Sequence, residues 1–299
     1  MLNPILSNWE FALFSANIHS FFPALSWEEH DQLYDNWRSY HIPTKRSLEI
    51  DDVQKDVLKT LDPGILTLFH LGNHLESPVA LADSGLVFDI VLDHEVYRKS
   101  QNVLSEMLQK LNNLGKGEYH FLFSDDPHLL LKCRCTFKNG KHILIFADGS
   151  SGTEAGGKDR RVKIPFFTSY VNCKGGIPAL AFLFKVQIYP LLTSDKDTIV
   201  SKLQLYPIIS PEENHNKEDF TTIALTKLYQ MLETAIQNNP WRWECWSYLH
   251  SNGMLNSTIE SETIQVRQGP YIFVNARNGY YLFDRRYYSA QKINFVQNS

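Results

Sequence analysis

The 299-residue chain has little cysteine, no net positive charge and no long apolar run. Four cysteines (Cys133, Cys135, Cys173, Cys245) are too few to knit a disulfide scaffold over this length. The Cys133-x-Cys135 pair also lacks the second pair or His-x-His partner that zinc requires. They read as reduced, structural thiols of a cytoplasmic protein, and no metal site is expected. A formal charge of −4 supplies no basic field to neutralise phosphates, which excludes nucleic acid as a partner. Residues 1–25 are rich in Trp, Phe, Leu and Ile, but Asn8, Glu10, Asn17, His19 and Ser20 interrupt them, with Pro4 and Pro23. That is too broken for the roughly 20 apolar residues of a spanning helix, and no basic segment opens it as a signal peptide. It reads as a buried helix. The alternative is an interfacial segment that brings a cytoplasmic protein to the inner face of a membrane.

With 43% hydrophobic and 21% charged residues, the composition is that of a globular chain able to bury a substantial core. Ser26 followed by Glu29 is a capping box, and Leu33, Trp37 and Tyr40 fall at helical spacing, so a helix starts there. Apolar runs at 65–70, 86–92, 119–123, 142–147 and 187–192 predict buried strands. Helices are predicted between them at 76–83, 98–114, from Asp126-Pro127 to Gly140, and at 177–185. A long helix follows at 218–237, then a break at Asn238-Asn239-Pro240 and an aromatic stretch at 241–249. This alternation predicts an α/β fold, a central mostly parallel sheet flanked by helices, with chemistry where strands end. Beyond about Leu255 the runs 264–266, 271–274 and 280–283, with a turn at Arg277-Asn278-Gly279, predict a small C-terminal β appendage.

Two segments carry chemistry. His70 ends a strand and enters a turn with Gly72 and Asn73, with Glu76 one helical turn on. A histidine so placed can act as general base, and a carboxylate beside it fixes its tautomer. Asp148 ends another strand. Behind it come a Gly/Ser-rich turn, the basic residues Lys158, Arg160, Arg161 and Lys163, and an apolar Ile164-Pro165-Phe166-Phe167 wall. Such a loop suits an acyl thioester on a phosphate-bearing carrier, although a solvated loop has the same composition. Gly149-Ser150-Ser151-Gly152 is not the Gly-x-Ser-x-Gly elbow of serine hydrolases.

In order, His70-Leu71-Gly72-Asn73 through Glu76, the segment Asp93 to Asn102 with Tyr97-Arg98, Phe146-Ala147-Asp148 followed by Ile164-Pro165-Phe166-Phe167, and Pro240-Trp241-Arg242-Trp243 resemble one family. It is that of the lipid A late acyltransferases and phosphatidylinositol mannoside acyltransferases, within the lysophospholipid acyltransferase superfamily. The resemblance covers about residues 60–250. It implies an acyltransferase domain over 1–250, with a helical segment at 1–45 and the β appendage at 255–299. It implies direct attack of a hydroxyl or amine on an acyl thioester, with His70 as general base and Glu76 or Asp148 as its carboxylate. Asn73, Arg98, Arg160, Arg161 and Phe166 would line the substrate site. The donor would be acyl carrier protein or acyl-coenzyme A, whose phosphopantetheine arrives with the co-substrate, so no resident cofactor is implied. Two departures stand out. The family's acid lies five residues after its histidine, where this chain has Leu75, and its membrane-spanning N-terminal helix has no counterpart here. The first leaves the carboxylate open between Glu76 and Asp148. The second points to a specialised acceptor, a peptide, polyketide or sugar, as the alternative. A non-catalytic acyl- or lipid-binding protein of the same fold is a third reading.

Overall fold

Short apolar runs settle where helices cover both faces of a sheet, because neither of their faces tolerates water. The computed structural model shows this arrangement and describes residues 9–41, 47–149, 161–195, 200–212, 216–249, 269–276 and 279–293. The chain forms two compact units, one of residues 43–164 and 173–239 and the other of 1–42, 165–172 and 240–299.

The larger unit holds a seven-stranded sheet. Its strands are β1 (Ser47–Glu49), β2 (Ile65–Leu68), β3 (Phe88–Leu92), β4 (Phe121–Phe123), β5 (His142–Phe146), β8 (Ile188–Asp195) and β9 (Val200–Leu205), and β6 (Arg161–Phe166) with β7 (Ser169–Lys174) forms a separate two-stranded ribbon. The order across the sheet is β1-β9-β8-β2-β5-β3-β4. β8, β2, β5, β3 and β4 run parallel, and β9 returns antiparallel beside β8. Strand period sorts the core: Leu144 of β5 joins Leu66, Leu68, Phe88 and Ile90 under the helices Ser77–Asp83 and Gln101–Asn113. Ile143, pointing the other way, joins Leu122 and Cys133 with Leu129, Phe137, Leu180 and Phe184 from the helices Leu129–Lys138 and Gly176–Phe184. At the amino ends of the strands Asp89 is buried and takes bonds from Thr136 Oγ1 (2.7 Å) and Lys141 Nζ, which tie β3 to the neighbouring helix and to β5.

Three expectations change. The predicted helix at 98–114 is two helices, His94–Lys99 and Gln101–Asn113, because Ser100 leaves helical geometry (φ −121°, ψ 23°). The helix predicted from Asp126-Pro127 begins at Leu129. Asp126 instead accepts the His128 N–H at 2.7 Å, an Asx turn one step short of a cap. The appendage has a third strand that the apolar runs did not announce, while the run at 264–266 lies outside the described residues.

In the smaller unit the helices Trp9–Phe21 and Trp27–His41 pack through Phe11, Phe14, Tyr34 and Trp37. Phe21 extends this cluster to Phe166, Trp243 and Trp246. The first helix is thus buried, as expected, and among the described residues no helix is long and apolar enough to cross a membrane. The tail forms an antiparallel sheet of β10 (Tyr271–Ala276), β11 (Gly279–Asp284) and β12 (Ser289–Ile293), whose Val274 and Phe283 pack on Ala12 and Ala16. Behind it the buried Arg285 guanidinium lies 4.2 Å over Trp27 and donates to Ser15 Oγ at 2.9 Å. The same Ser15 Oγ is hydrogen-bonded at 2.7 Å to Nδ1 of the buried His30. Burial, and next Arg285, hold its pKa down to about 4.

His142 is the counterpart in the larger unit. Its Nδ1 accepts the Gly64 N–H at 3.2 Å, and burial lowers its pKa to about 4. For both residues the native value lies below the ordinary 6.5, so the unfolded chain binds more protons in that interval. Their stabilisation is complete above about pH 6.5 and is lost as the pH falls to about 4, each shift being worth on the order of 3 kcal/mol. Urea midpoints should therefore drop across this window, and His142→Gln, which keeps an acceptor for Gly64, should flatten the drop. A midpoint independent of pH over that range would contradict the account.

Candidate active site

Parallel pairing fixes which side chains meet beyond the strand ends. In the register of β2 and β5, Leu68 stands opposite Phe146, so two residues further on His70 stands opposite Asp148. The ladder runs up to the site through the Ala147 N–H, which donates to the Leu68 carbonyl at 2.7 Å. Asp148 is buried and both its oxygens are used: Oδ2 accepts the His70 backbone N–H at 2.9 Å and Oδ1 lies 2.7 Å from His70 Nδ1. A carboxylate only accepts, so Nδ1 carries the proton and Nε2 keeps the lone pair. The His70 side chain is 28% exposed, while that of Asp148 is dry.

Three further contacts hold the imidazole and its turn. His70 lies against Phe146, the last residue of β5, with ring centroids 4.6 Å apart. His74 meets both rings edge-on, at 4.9 Å from His70 and 5.8 Å from Phe146. The turn itself needs Gly72, whose φ of 61° is left-handed, and Thr193 of β8 donates to the Leu71 carbonyl at 3.1 Å.

The other expected residues are dispersed. Glu76 closes the short 3₁₀ turn His74–Glu76, is half-exposed, and has Lys110 Nζ 3.9 Å from its carboxylate. It is therefore Asp148, from the neighbouring strand, that touches His70. Asn73 stands at the start of that turn and accepts the Glu76 N–H through its carbonyl. Arg98 is exposed on the helix His94–Lys99, which follows β3. Arg161 opens β6, and Arg160 lies outside the described residues. Phe166 is fully buried among aromatic side chains, so in its own unit it is core.

The chemistry available here is that of an oriented base. Cys173 lies close enough to Asp148 to feel its charge, but it is no nucleophile: burial, with the carboxylate adding to the effect, pushes its thiol up to about 12. Sequence reasoning passed over His74, and it passed over a second pair, His94 and Asp125, whose Nδ1 and Oδ1 are 2.6 Å apart. The signal was present: each of these two residues stands two positions beyond the end of a parallel strand, as His70 and Asp148 do.

No family model matches the chain, and no curated protein matches it. Among solved structures it is similar to the 1-acyl-sn-glycerophosphate (LPA) acyltransferase PlsC from Thermotoga maritima, at 12% identity and a TM-score of 0.37, over 76% of this chain and 95% of that one.

Thiol labelling checks the electrostatics of the site. Cys135 is exposed, whereas burial raises Cys133 to about 11 and Cys173 to about 12. Iodoacetamide at neutral pH should modify Cys135 in the folded protein and leave Cys133 and Cys173 unmodified until denaturant is added. Rapid labelling of Cys173 in the native state would show that the carboxylate's surroundings are wet.

Proposed function

We propose that the chain is an acyltransferase that moves a fatty acyl group from a thioester to a hydroxyl or amine, with His70 as general base and Asp148 as its carboxylate. The observation that carries this reading is the His70–Asp148 pair itself: a buried acid bonded to Nδ1 and to the backbone of the same residue, on a ring that is partly exposed. Such a pair is built to take a proton from a weak nucleophile and to stabilise the imidazolium that results.

The reaction then balances without a covalent enzyme intermediate. The acceptor oxygen attacks the thioester carbonyl while His70 Nε2 takes its proton, forming the C–O bond and a tetrahedral oxyanion. Collapse breaks the C–S bond, and the imidazolium returns the proton to the departing thiolate. The His74 ring, edge-on to His70, helps hold the imidazole in place. Supporting the thioester donor are the ordered likeness of residues 60–250 to the lipid A and mannoside acyltransferases and the acid that follows a strand end in both. In this reading the donor is acyl carrier protein or acyl-coenzyme A, and Arg98 and Arg161 are the residues proposed to meet its phosphates. Glu76, turned to Lys110, serves the turn and not the base.

The test is release of coenzyme A from octanoyl-coenzyme A, with water or 1-octanol as acceptor and the ester followed by mass spectrometry. His70→Ala should lower turnover by ~10³-fold or more with an unchanged urea midpoint. Asp148→Asn should cost ~10²- to 10⁴-fold, because an amide can donate to Nδ1 and so favours the tautomer with Nε2 protonated. Glu76→Gln should stay within about threefold, the range expected for an exposed ion pair. Turnover that survives in His70→Ala would remove the proposal.

A further inference from the structure

The carboxyl edge of the sheet carries the same arrangement twice. β3 and β4 pair with Leu92 opposite Phe123, and two residues beyond them stand His94 and Asp125. The correspondence with β2 and β5 is complete in three respects. Histidine Nδ1 meets aspartate Oδ1 at 2.6 Å here and at 2.7 Å there. Each aspartate comes from the strand beside that of its histidine. Each imidazole lies on the phenylalanine that ends the aspartate's strand, His94 on Phe123 with centroids 3.7 Å apart and planes within 9°. Because β3 also pairs with β5, with Ile90 opposite Leu144, the four residues His70, Asp148, His94 and Asp125 follow one another along one row, on β2, β5, β3 and β4. Neighbouring strands are about 4.8 Å apart, so the two imidazoles stand roughly 10 Å from each other on the same edge.

Burial separates their duties. Asp148 is dry, but Asp125 and His94 are each 48% exposed, and a hydrated carboxylate polarises its partner weakly. That environment suits hydrogen bonding to a ligand better than it suits proton abstraction. The ring is nonetheless locked by stacking and by Asp125, and fixing an exposed side chain costs entropy that a merely solvated residue does not incur. Among the described residues nothing else bonds to His94 Nε2. With Nδ1–H given to Asp125, this nitrogen offers a lone pair and seeks a donor.

The surrounding charge selects the donor. Glu95 is paired with Lys99 and Asp126 with Lys132. Asp93 accepts the Glu95 N–H and faces the Ser124 hydroxyl, and together with Asp125 it outweighs Arg98. Among the described residues no cluster of cations stands here to hold a phosphate.

We propose that His94 and Asp125 form a recognition point for the acyl acceptor, binding a second hydroxyl or amino group of that molecule roughly 10 Å from the one acylated at His70. This rests on the reading of His70 as the base. The acceptor is therefore a molecule with two hydrogen-bond donors at its two ends, and the far donor sets its affinity.

The experiment uses octanoyl-coenzyme A with three acceptors: 1-octanol, 1,8-octanediol and 8-hydroxyoctyl phosphate. The diol places its second hydroxyl about one such span from the first when extended. After correction for its two equivalent ends, it should exceed 1-octanol by about tenfold in kcat/KM, the worth of one hydrogen bond, chiefly through KM. The phosphate should gain no such advantage. His94→Asn keeps an N–H for Asp125 but is too short to place an acceptor where Nε2 stood, so it should erase the diol's preference; Asp125→Asn, which retains an acceptor for Nδ1–H, should reduce it. A diol preference that persists in His94→Asn, or a preference for the phosphate, overturns the proposal. So does an equal loss of 1-octanol and diol transfer in His94→Asn, which would put His94 in the chemical step. Transfer surviving in His70→Ala would instead overturn the functional reading, so the two failures are told apart.

Discussion

The site depends on one constraint, the parallel register between β2 and β5. A one-residue slip would turn His70 and Asp148 to opposite faces of the sheet, because strand side chains alternate. Hydrophobic burial enforces the register: Ile143 and Leu144 of β5 serve the two different cores, so a slip would expose one and bury the other wrongly. Asp148 then completes the lock by binding the His70 backbone as well as its ring. Backbone and side chain are thereby positioned by the same carboxylate, and the imidazole cannot turn without giving up a bond in a buried place.

That arrangement needs no acid within the His70 turn. An acid within the His70 turn would have to reach back along its own chain, whereas an acid on the adjacent strand meets the ring directly. Leu75, five residues after His70, has nearly half its surface in water. Glu76 is free to join Lys110 on the helix Gln101–Asn113. Leu75 and Glu76 thus both face away from the His70–Asp148 pair, while His74 packs edge-on against the His70 ring.

Much of the sheet was legible because its central strands are apolar runs bounded by Gly, Pro or Asp, and their ends marked His70 and Asp148 as chemistry-bearing. What stayed hidden has physical reasons. β1 and β9 lie at the margin of the sheet, and in β9 one of the inward residues is Ser201, so hydrophobic alternation is broken. β12 is an edge strand of Ser, Ala, Gln and Lys that pairs through its backbone with β11, a bond no side-chain pattern announces. Ser100 splits a helix whose apolar period runs on past it, because serine competes for backbone bonds. The choice between Glu76 and Asp148 could not be made from spacing, since the distance that decides it spans 78 residues of chain. Arg285 was invisible for a like reason: its partners Ser15 and Trp27 are remote in sequence and near only in the fold.

The two His–Asp pairs put the same parts in two different environments along one sheet edge. Strand geometry repeats every 4.8 Å or so, and equivalent positions beyond parallel strands therefore present equivalent side-chain geometry. What differs is the cover. The central pair lies between strands on both sides, so its carboxylate loses water and its charge acts at full strength on the imidazole. The outer pair ends on β4, the edge of the sheet, where water reaches both members. Place in the strand order thus grades the pairs by their exposure to water, and the two proposed roles, proton transfer at the inner pair and hydrogen bonding at the outer, follow that grading. A molecule spanning both would be held by its far end while its near end reacts, and remote binding of that kind contributes to catalysis by fixing orientation before the chemical step begins.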